Sequence, residues 1–201
     1  MGKIAVDVVL LPSEEMADKT IEANRELLKQ GTDKIVLNKD NCLPHISLAM
    51  GCIDERHIAE MDKILQTIAE KYALKQLTAV GIHAETNSAG EKVSVFRIER
   101  TEALQSLHEE IMRRLAPYLS YDVTADMVLS GPTASQSTLL WIKNYPARSS
   151  FERFFPHITI GYGQIEDFSF PVKFGVSKLA LCHLGNRCTC RKILASARLK
   201  G

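Results

Sequence analysis

The sequence predicts an α+β fold with antiparallel sheet, and two observations indicate this class. Strand patterns and amphipathic helices follow one another in mixed order, and neighbouring strands are joined by turn sequences typical of hairpins. A five-residue pattern at residues 44–48 recurs 112 residues later at 156–160, which predicts two related lobes. Because no Gly-rich linker separates them, we expect a single domain over residues 1–201.

The first elements are indicated by alternation and by helix-end signals. Apolar side chains alternate over residues 4–11, as in a half-buried strand. Ser13 is placed to cap a helix that opens with two glutamates and extends to about Gln30, with Gly31 just beyond its end. Residues 34–38 then predict a short strand.

The next two elements surround the first copy of the repeat. After a polar loop, a strand is expected from Pro44 to Gly51. Asp54 can cap the helix that follows, whose apolar residues recur at helical spacing. This stripe consists of Ile58, Met61, Leu65 and Ile68.

The remainder of the chain predicts five strands and two helices. Turn-rich sequence at 87–90 separates the first two strands, and a loop is expected around 146–150. The last two strands form a hairpin with Gly185-Asn186 at its turn. In chain order, we expect strands at 74–85 and 91–98, helices at 101–117 and around 134–144, and strands at 155–163, 171–183 and 187–197.

The repeat carries the same chemical groups in both halves. Pro44-His45-Ile46-Ser47-Leu48 and Pro156-His157-Ile158-Thr159-Ile160 agree position by position. Since side chains alternate between the faces of a strand, each histidine shares a face with the hydroxyl two residues later, about 6.6 Å away. The aliphatic residues anchor the opposite face in a core. Two such faces across a groove would surround one phosphate with two imidazoles and two hydroxyls.

These side chains suit acid–base chemistry on a phosphodiester. An imidazole exchanges a proton near neutrality, because its unperturbed pKa is about 6.5. One neutral imidazole can deprotonate an attacking water, and one imidazolium can protonate the leaving ribose oxygen. We therefore expect His45 and His157 to be catalytic, with Ser47 and Thr159 holding the phosphoryl oxygens. Which histidine is the acid and which is the base stays open.

The two H-x-[S/T]-hydrophobic motifs resemble the signature of the 2H phosphoesterase superfamily, which includes 2′-5′ RNA ligase-like proteins and RNA cyclic phosphodiesterases. The motif order and the strand–helix layout are also similar, so the resemblance spans most of the chain. It implies a bilobal, pseudo-twofold α+β fold, with two antiparallel sheets flanking a central cleft and helices on the outside. It also implies the same four site residues, with no cofactor and no metal ligand.

The expected function is metal-independent hydrolysis of a 2′,3′-cyclic phosphate or a 2′-linked phosphodiester in an RNA end or small nucleotide. A strained cyclic phosphate makes a metal less necessary. Three alternatives stay open: 2′-5′ joining of RNA ends by the same histidines, a non-catalytic RNA- or nucleotide-binding module, and a metal-dependent hydrolase with histidine ligands. Use of nucleoside triphosphates is disfavoured, because the sequence has no G-x-x-x-x-G-K-[S/T] loop.

Composition and charge limit the setting. No run of about 18 apolar residues exists and the N-terminus lacks the apolar stretch of a signal peptide, so we expect no membrane segment. An odd count of five cysteines favours a reducing compartment, and we expect a cytoplasmic monomer. Net charge is +1, but residues 141–201 hold ten Lys/Arg against three Asp/Glu, an excess that can attract a phosphate-bearing ligand.

The other histidines and the cysteines near the C-terminus are expected to be structural rather than functional. His57, His83 and His108 lack matching partners and are expected at the surface or in packing. A two-residue turn at Gly185-Asn186 would place His183 opposite Cys188. The cysteine spacing matches no standard zinc pattern, so we expect buried thiols there. Phe155 and Tyr162 flank the second motif and are expected to pack, although Phe155 could also stack on a base.

Overall fold

The computed structural model describes residues 2–31, 34–86, 90–129, 134–165 and 168–200, without the side chain of Ser177. The strands are β1 (Lys3–Pro12), β2 (Ile46–Asp54), β3 (Leu77–Thr86), β4 (Lys92–Ile98), β5 (His157–Tyr162), β6 (Val172–Phe174), β7 (Val176–Leu184) and β8 (Cys190–Arg198). The helices are α1 (Glu14–Leu28), α2 (Ile58–Lys71), α3 (Glu102–Leu115) and α4 (Gln136–Ser149). No helix among these residues is both long and apolar enough to span a membrane.

Two antiparallel sheets confirm the predicted α+β class and its pseudo-twofold layout. The first sheet has the order β2-β1-β7-β8 and the second has the order β5-β4-β3-β6. In each sheet the strand of the repeated motif is an edge strand: β2, directly after His45, in the first sheet and β5, which begins with His157, in the second. The long strand that pairs with it, β1 or β4, is inside the sheet, so the two sheets correspond strand by strand.

The pairing register repeats as well. Ser47 pairs with Val9 in the first sheet, and Thr159 pairs with Val95 in the second. In each case the register shifts directly after the hydroxyl residue, as in a β-bulge, so the next residue of the motif strand has no opposite partner. These unpaired residues are Leu48 and Ile160.

Helix α1 is hydrogen-bonded to the bulge in β5, in the second sheet. The buried Asn24 Nδ2 donates to the Ile160 carbonyl oxygen at 2.8 Å and to the Ile35 carbonyl oxygen at 3.0 Å. Its Oδ1 accepts from Leu37 N at 2.9 Å. Gly161 must be a glycine here, because a Cβ would lie 2.8 Å from Asn24 Nδ2 and its φ is +156°. One side chain therefore fixes both β5 and the segment that leads into the first motif.

Helix α3 makes the equivalent link to the first sheet. The buried His108 Nδ1 lies 2.7 Å from the Leu48 carbonyl oxygen, and Nε2 accepts from Phe151 N at 2.8 Å. Its ring stacks on Phe154 with centroids 4.0 Å apart. The expectation that His108 is a packing residue is confirmed, and its contacts mirror those of Asn24.

Two sequence expectations about local structure were wrong for identifiable reasons. Residues 35–38 form no strand, because Asn24 supplies the hydrogen bonds that a neighbouring strand would have given. The expected loop around 146–150 is the last turn of α4, which contains Pro146. Tyr145 and Ile142 are buried in the core beside it, and this packing offsets the hydrogen bond that proline cannot donate.

The closing segment also differs from expectation. Residues 171–183 are not one strand, because the chain leaves the second sheet after β6, passes Gly175 and enters the first sheet as β7. The β7–β8 hairpin has a longer turn with a 3₁₀ segment at Asn186–Cys188, so His183 lies opposite Lys192 rather than Cys188. Most of the expected turn at 87–90 lies outside the described residues.

Candidate active site between the two sheets

The two motif strands lie against one another. Both β2 and β5 are edge strands, and they are in contact where the sheets meet. His45 directly precedes β2 and His157 begins β5. The two imidazoles are close enough for the charge of His157 to lower the pKa of His45. The structure thus brings together the two histidines that the repeat singled out.

Each motif histidine is oriented by the carbonyl group two residues earlier. His45 Nδ1 is 2.7 Å from the Leu43 carbonyl oxygen, and His157 Nδ1 is 2.8 Å from the Phe155 carbonyl oxygen. A carbonyl oxygen can only accept, so Nδ1 carries the hydrogen in both rings. The intervening prolines fix the backbone φ of this short bend. Nε2 is therefore the nitrogen that takes up or releases a proton in each motif.

Burial keeps His45 neutral near pH 7. Its side chain is only 12% exposed. Loss of hydration lowers its pKa from 6.5 to about 4, although the bond to Leu43 opposes this. The nearby His157 lowers the pKa further. A neutral imidazole with a free Nε2 lone pair is the form needed in a general base.

His157 has a different electrostatic environment. Partial burial lowers its pKa, while the bond to Phe155 and the carboxylate of Glu85 raise it, and His83 lowers it. Glu85 Oε1 lies 3.4 Å from His83 Nε2, so these two residues form a pair on β3 beside the second motif. The surface position expected for His83 is correct, but the sequence did not reveal its proximity to His157.

The same face of the second sheet carries further polar groups. Residues directly opposite one another in an antiparallel pair share a face, which places Arg97 beside His157 and His83 beside Val95. Phe155 is 39% exposed, and its ring centroid is 5.6 Å from that of His157 and 5.8 Å from that of His83. Phe155 was expected to pack, with a place at the site as the alternative, and the structure favours the alternative, because the exposed ring lies beside both histidines. By contrast, Tyr162 does pack against buried apolar residues.

Sequence reasoning missed one buried acid. Asp7 on β1 is fully buried, and its Oδ2 atom forms a hydrogen bond with Ser47 Oγ at 2.6 Å. The same oxygen is 3.8 Å from His45 Nε2. Burial raises the pKa of Asp7 well above its usual range, while the bond from Ser47 opposes the rise. A charged residue inside an apolar strand was the available signal.

The four expected site residues occupy equivalent places. His45 and His157 are half-buried, as are Ser47 and Thr159, while the residues between and after them are buried. The alternation predicted from strand geometry is therefore present in both motifs. Among the described residues, Ser47 Oγ has the Asp7 carboxyl group as a hydrogen-bond partner.

The cysteine-rich hairpin is not arranged as a metal site. Cys182 and Cys190 form a disulfide between β7 and β8, so the expectation of free thiols was wrong for this pair. Cys42, Cys52 and Cys188 are free. Within the described part of the chain, no group of three or more His, Cys, Asp or Glu side chains is placed to hold a metal ion.

Known proteins are similar in structure rather than in sequence. No family model matches the sequence, and neither does any curated protein. The structure is similar to TT0787 of Thermus thermophilus, with a TM-score of 0.61, 16% identity and coverage of 98% of this chain and 99% of that one. It is also similar to E. coli LigT (TM-score 0.50, 13% identity) and to a protein described as a phosphoesterase (TM-score 0.50, 16% identity), each over the full length of both chains. The chain therefore has a LigT-like α+β fold, as its resemblance to 2H phosphoesterases had led us to expect.

Proposed function

We propose that the protein is a metal-independent phosphoesterase that acts on a 2′,3′-cyclic phosphate or a 2′-linked phosphodiester of an RNA end or small nucleotide. The observation that carries this proposal is the approach of two imidazoles from equivalent edge strands, each with Nδ1 tied to a carbonyl oxygen and Nε2 free to exchange a proton. The LigT and phosphoesterase structures that share the fold support it.

We assign the base to His45 and the acid to His157. His45 is the more strongly neutral of the two, since burial lowers its pKa to about 4. The Glu85 carboxylate favours the protonated form of His157. In hydrolysis, His45 Nε2 takes a proton from the attacking water and His157 Nε2 gives one to the leaving ribose oxygen. Ser47 and Thr159 hold the phosphoryl oxygens, and Arg97 adds a positive charge beside His157.

The test is turnover by single histidine variants. With a 2′,3′-cyclic nucleotide as substrate, His45→Ala and His157→Ala should each lose about 10²–10⁴-fold in kcat, the usual contribution of one general acid or base. His57→Ala is the matched control, because His57 lies on the 3₁₀ turn before α2 and contacts Tyr118. Full activity in either motif variant would contradict the proposal.

The same assay separates the alternatives. A binding module would bind cyclic nucleotides or RNA ends without any turnover, and an end-joining enzyme would form a 2′-5′ linkage from defined RNA ends. A metal-dependent hydrolase would lose activity in chelator, whereas we expect full activity there. A monomeric state and a cytoplasmic location remain predictions of the sequence.

A further inference from the structure

Asp7 takes no part in the proton transfers proposed above, yet it lies within the site. It is fully buried on β1, and its Oδ2 atom is 2.6 Å from Ser47 Oγ and 3.8 Å from His45 Nε2. Its Oδ1 atom has no hydrogen-bond partner among the described residues. If ionised, this carboxyl group would put an anion directly behind the hydroxyl that is to bind phosphate.

The groups that face Asp7 do not compensate a negative charge. They are His45 and Ser47, together with Tyr145 from α4 and Cys188 from the β7–β8 turn, both of which interact with it electrostatically. Near pH 7 none of the four is a cation. An unpaired buried charge is strongly unfavourable, whereas a neutral acid leaves only a carbonyl oxygen without a partner. The protonated form of Asp7 is therefore favoured.

The second sheet shows that the fold does not require an acid here. Asp7 pairs with Met50, three residues after Ser47. The equivalent residue of the second sheet is Val93, which pairs with Tyr162, three residues after Thr159. A valine thus occupies the corresponding position without harm to the sheet. Asp7 is specific to the first motif.

We propose that Asp7 is a positioning residue that is protonated in the resting protein and donates its proton in a hydrogen bond to Ser47 Oγ, which leaves the Ser47 hydroxyl proton for a phosphate oxygen. The inference rests on the phosphate site of the proposed function. Either oxygen of the 2.6 Å contact can carry the shared proton. An ionised Asp7 would accept the hydrogen bond of the Ser47 hydroxyl, and only the lone pairs of Ser47 Oγ would then face the phosphate. The direction of this hydrogen bond therefore decides whether Ser47 attracts phosphate.

Sulfate binding in three single variants and one double variant tests this arrangement, because sulfate keeps a constant charge near neutral pH. We expect Asp7→Asn to bind sulfate within about threefold of the wild type at pH 6.5, since an amide N–H can donate to Ser47 in place of the acid. Asp7→Val and Ser47→Ala should each bind about tenfold more weakly, as expected for one hydrogen bond to a charged group. The double variant Asp7→Val/Ser47→Ala should bind sulfate no more weakly than Ser47→Ala, because Asp7 acts on the anion only through the Ser47 hydroxyl.

Two results would overturn the inference. If Asp7→Asn binds as weakly as Asp7→Val, the negative charge of Asp7 is what matters. If Asp7→Val binds as tightly as the wild type, Asp7 does not position Ser47. Thermal unfolding of each variant checks that it is folded, and Asp7→Asn decides the question even if the valine variant is not.

An infrared difference spectrum between the wild type and Asp7→Asn provides a direct readout. With sulfate bound at pH 6.5, the carboxylic acid C=O band should be present in the wild type and missing in the variant. A carboxylate band alone would contradict a protonated Asp7. Neither measurement involves turnover. If the protein gives these results but hydrolyses no cyclic nucleotide, the Asp7–Ser47 arrangement stands and the proposed function fails. If hydrolysis depends on the histidines but Asp7 is ionised, the proposed function stands and the inference about Asp7 fails.

Discussion

At the residue scale, the two motif histidines are alike in tautomer and unlike in electrostatic environment. Both rings hold their Nδ1 hydrogen on a carbonyl oxygen two residues earlier. His45 has a buried carboxyl group nearby, and His157 has the exposed pair of Glu85 and His83. This difference is the basis for assigning different roles to the two histidines in the proposed mechanism, although the motifs are nearly identical in sequence.

The pH profile of Glu85→Gln tests the assignment of roles. In the proposed mechanism the monoprotonated pair is the active form, so kcat/KM for a 2′,3′-cyclic nucleotide should be bell-shaped, with its maximum below pH 6.5 because both histidine pKa values are lowered. Loss of the Glu85 charge should lower the pKa of His157 and move the alkaline limb to lower pH, and the shift should be modest because Glu85 is exposed. Glu70→Gln, on the exposed side of α2, is the control. A shift of the alkaline limb to higher pH would contradict the assignment.

The buried His108 predicts an acid-sensitive fold. Burial lowers its pKa to about 4, so the unfolded state, with a pKa near 6.5, binds more protons as the pH falls between these values. The contribution of His108 is therefore fully present above pH 6.5 and is lost towards pH 4, by about 3 kcal/mol in all. His108→Gln does not titrate, and its unfolding free energy should fall less steeply from pH 7 to pH 4.5. Equal slopes in urea unfolding would show that His108 is not the source. His45, with a similar pKa, should account for part of the slope that remains.

At the element scale, crossed helix contacts place the motif strands. Asn24 of α1 binds the bulge carbonyl of β5, and His108 of α3 binds the bulge carbonyl of β2. A bulged residue has a carbonyl oxygen that the ladder does not use, and these two buried side chains satisfy it. The geometry of each motif therefore depends on a helix from the other half of the chain.

Asn24→Leu should damage both stability and the site. The change leaves the carbonyl oxygens of Ile160 and Ile35 and the Leu37 N–H without their partner. At about 1–3 kcal/mol for each unsatisfied buried group, we expect a loss of about 3 kcal/mol or more in unfolding free energy. Glu22→Leu, on the exposed side of α1, should change it by less than about 0.5 kcal/mol. Similar urea midpoints for the two variants would contradict the role given to Asn24.

Much of the element order was readable from the sequence, and the exceptions share a cause. Alternation and helical stripes indicated β1, β4, α2 and α3, although β1 is buried on both faces rather than half-buried as expected. The segment at 35–38 and the crossing at Gly175 were not readable, because a distant side chain or a change of sheet decides them. In the site, the repeat supplied both histidines and both hydroxyls. The positions of Asp7, Glu85 and Arg97 beside the motifs depend on how the strands pair, which the sequence pattern did not show.

At the scale of the whole molecule, one core joins the two sheets. The largest cluster of buried apolar side chains draws on both sheets and all four helices. We therefore expect the two halves to unfold together in one transition, with fluorescence of Trp141 and far-ultraviolet circular dichroism giving the same urea midpoint. Two separated transitions would show that the lobes are independent domains.

The central claim is that His45 and His157 act on the same phosphoryl group. It is tested most directly by following the imidazole nitrogens of both histidines by NMR while inorganic phosphate is added. We predict that both Nε2 signals shift along one saturation curve with a single Kd, and that His45→Ala weakens the response of His157. A response from only one ring, or two curves with different Kd values, would contradict a shared phosphate site.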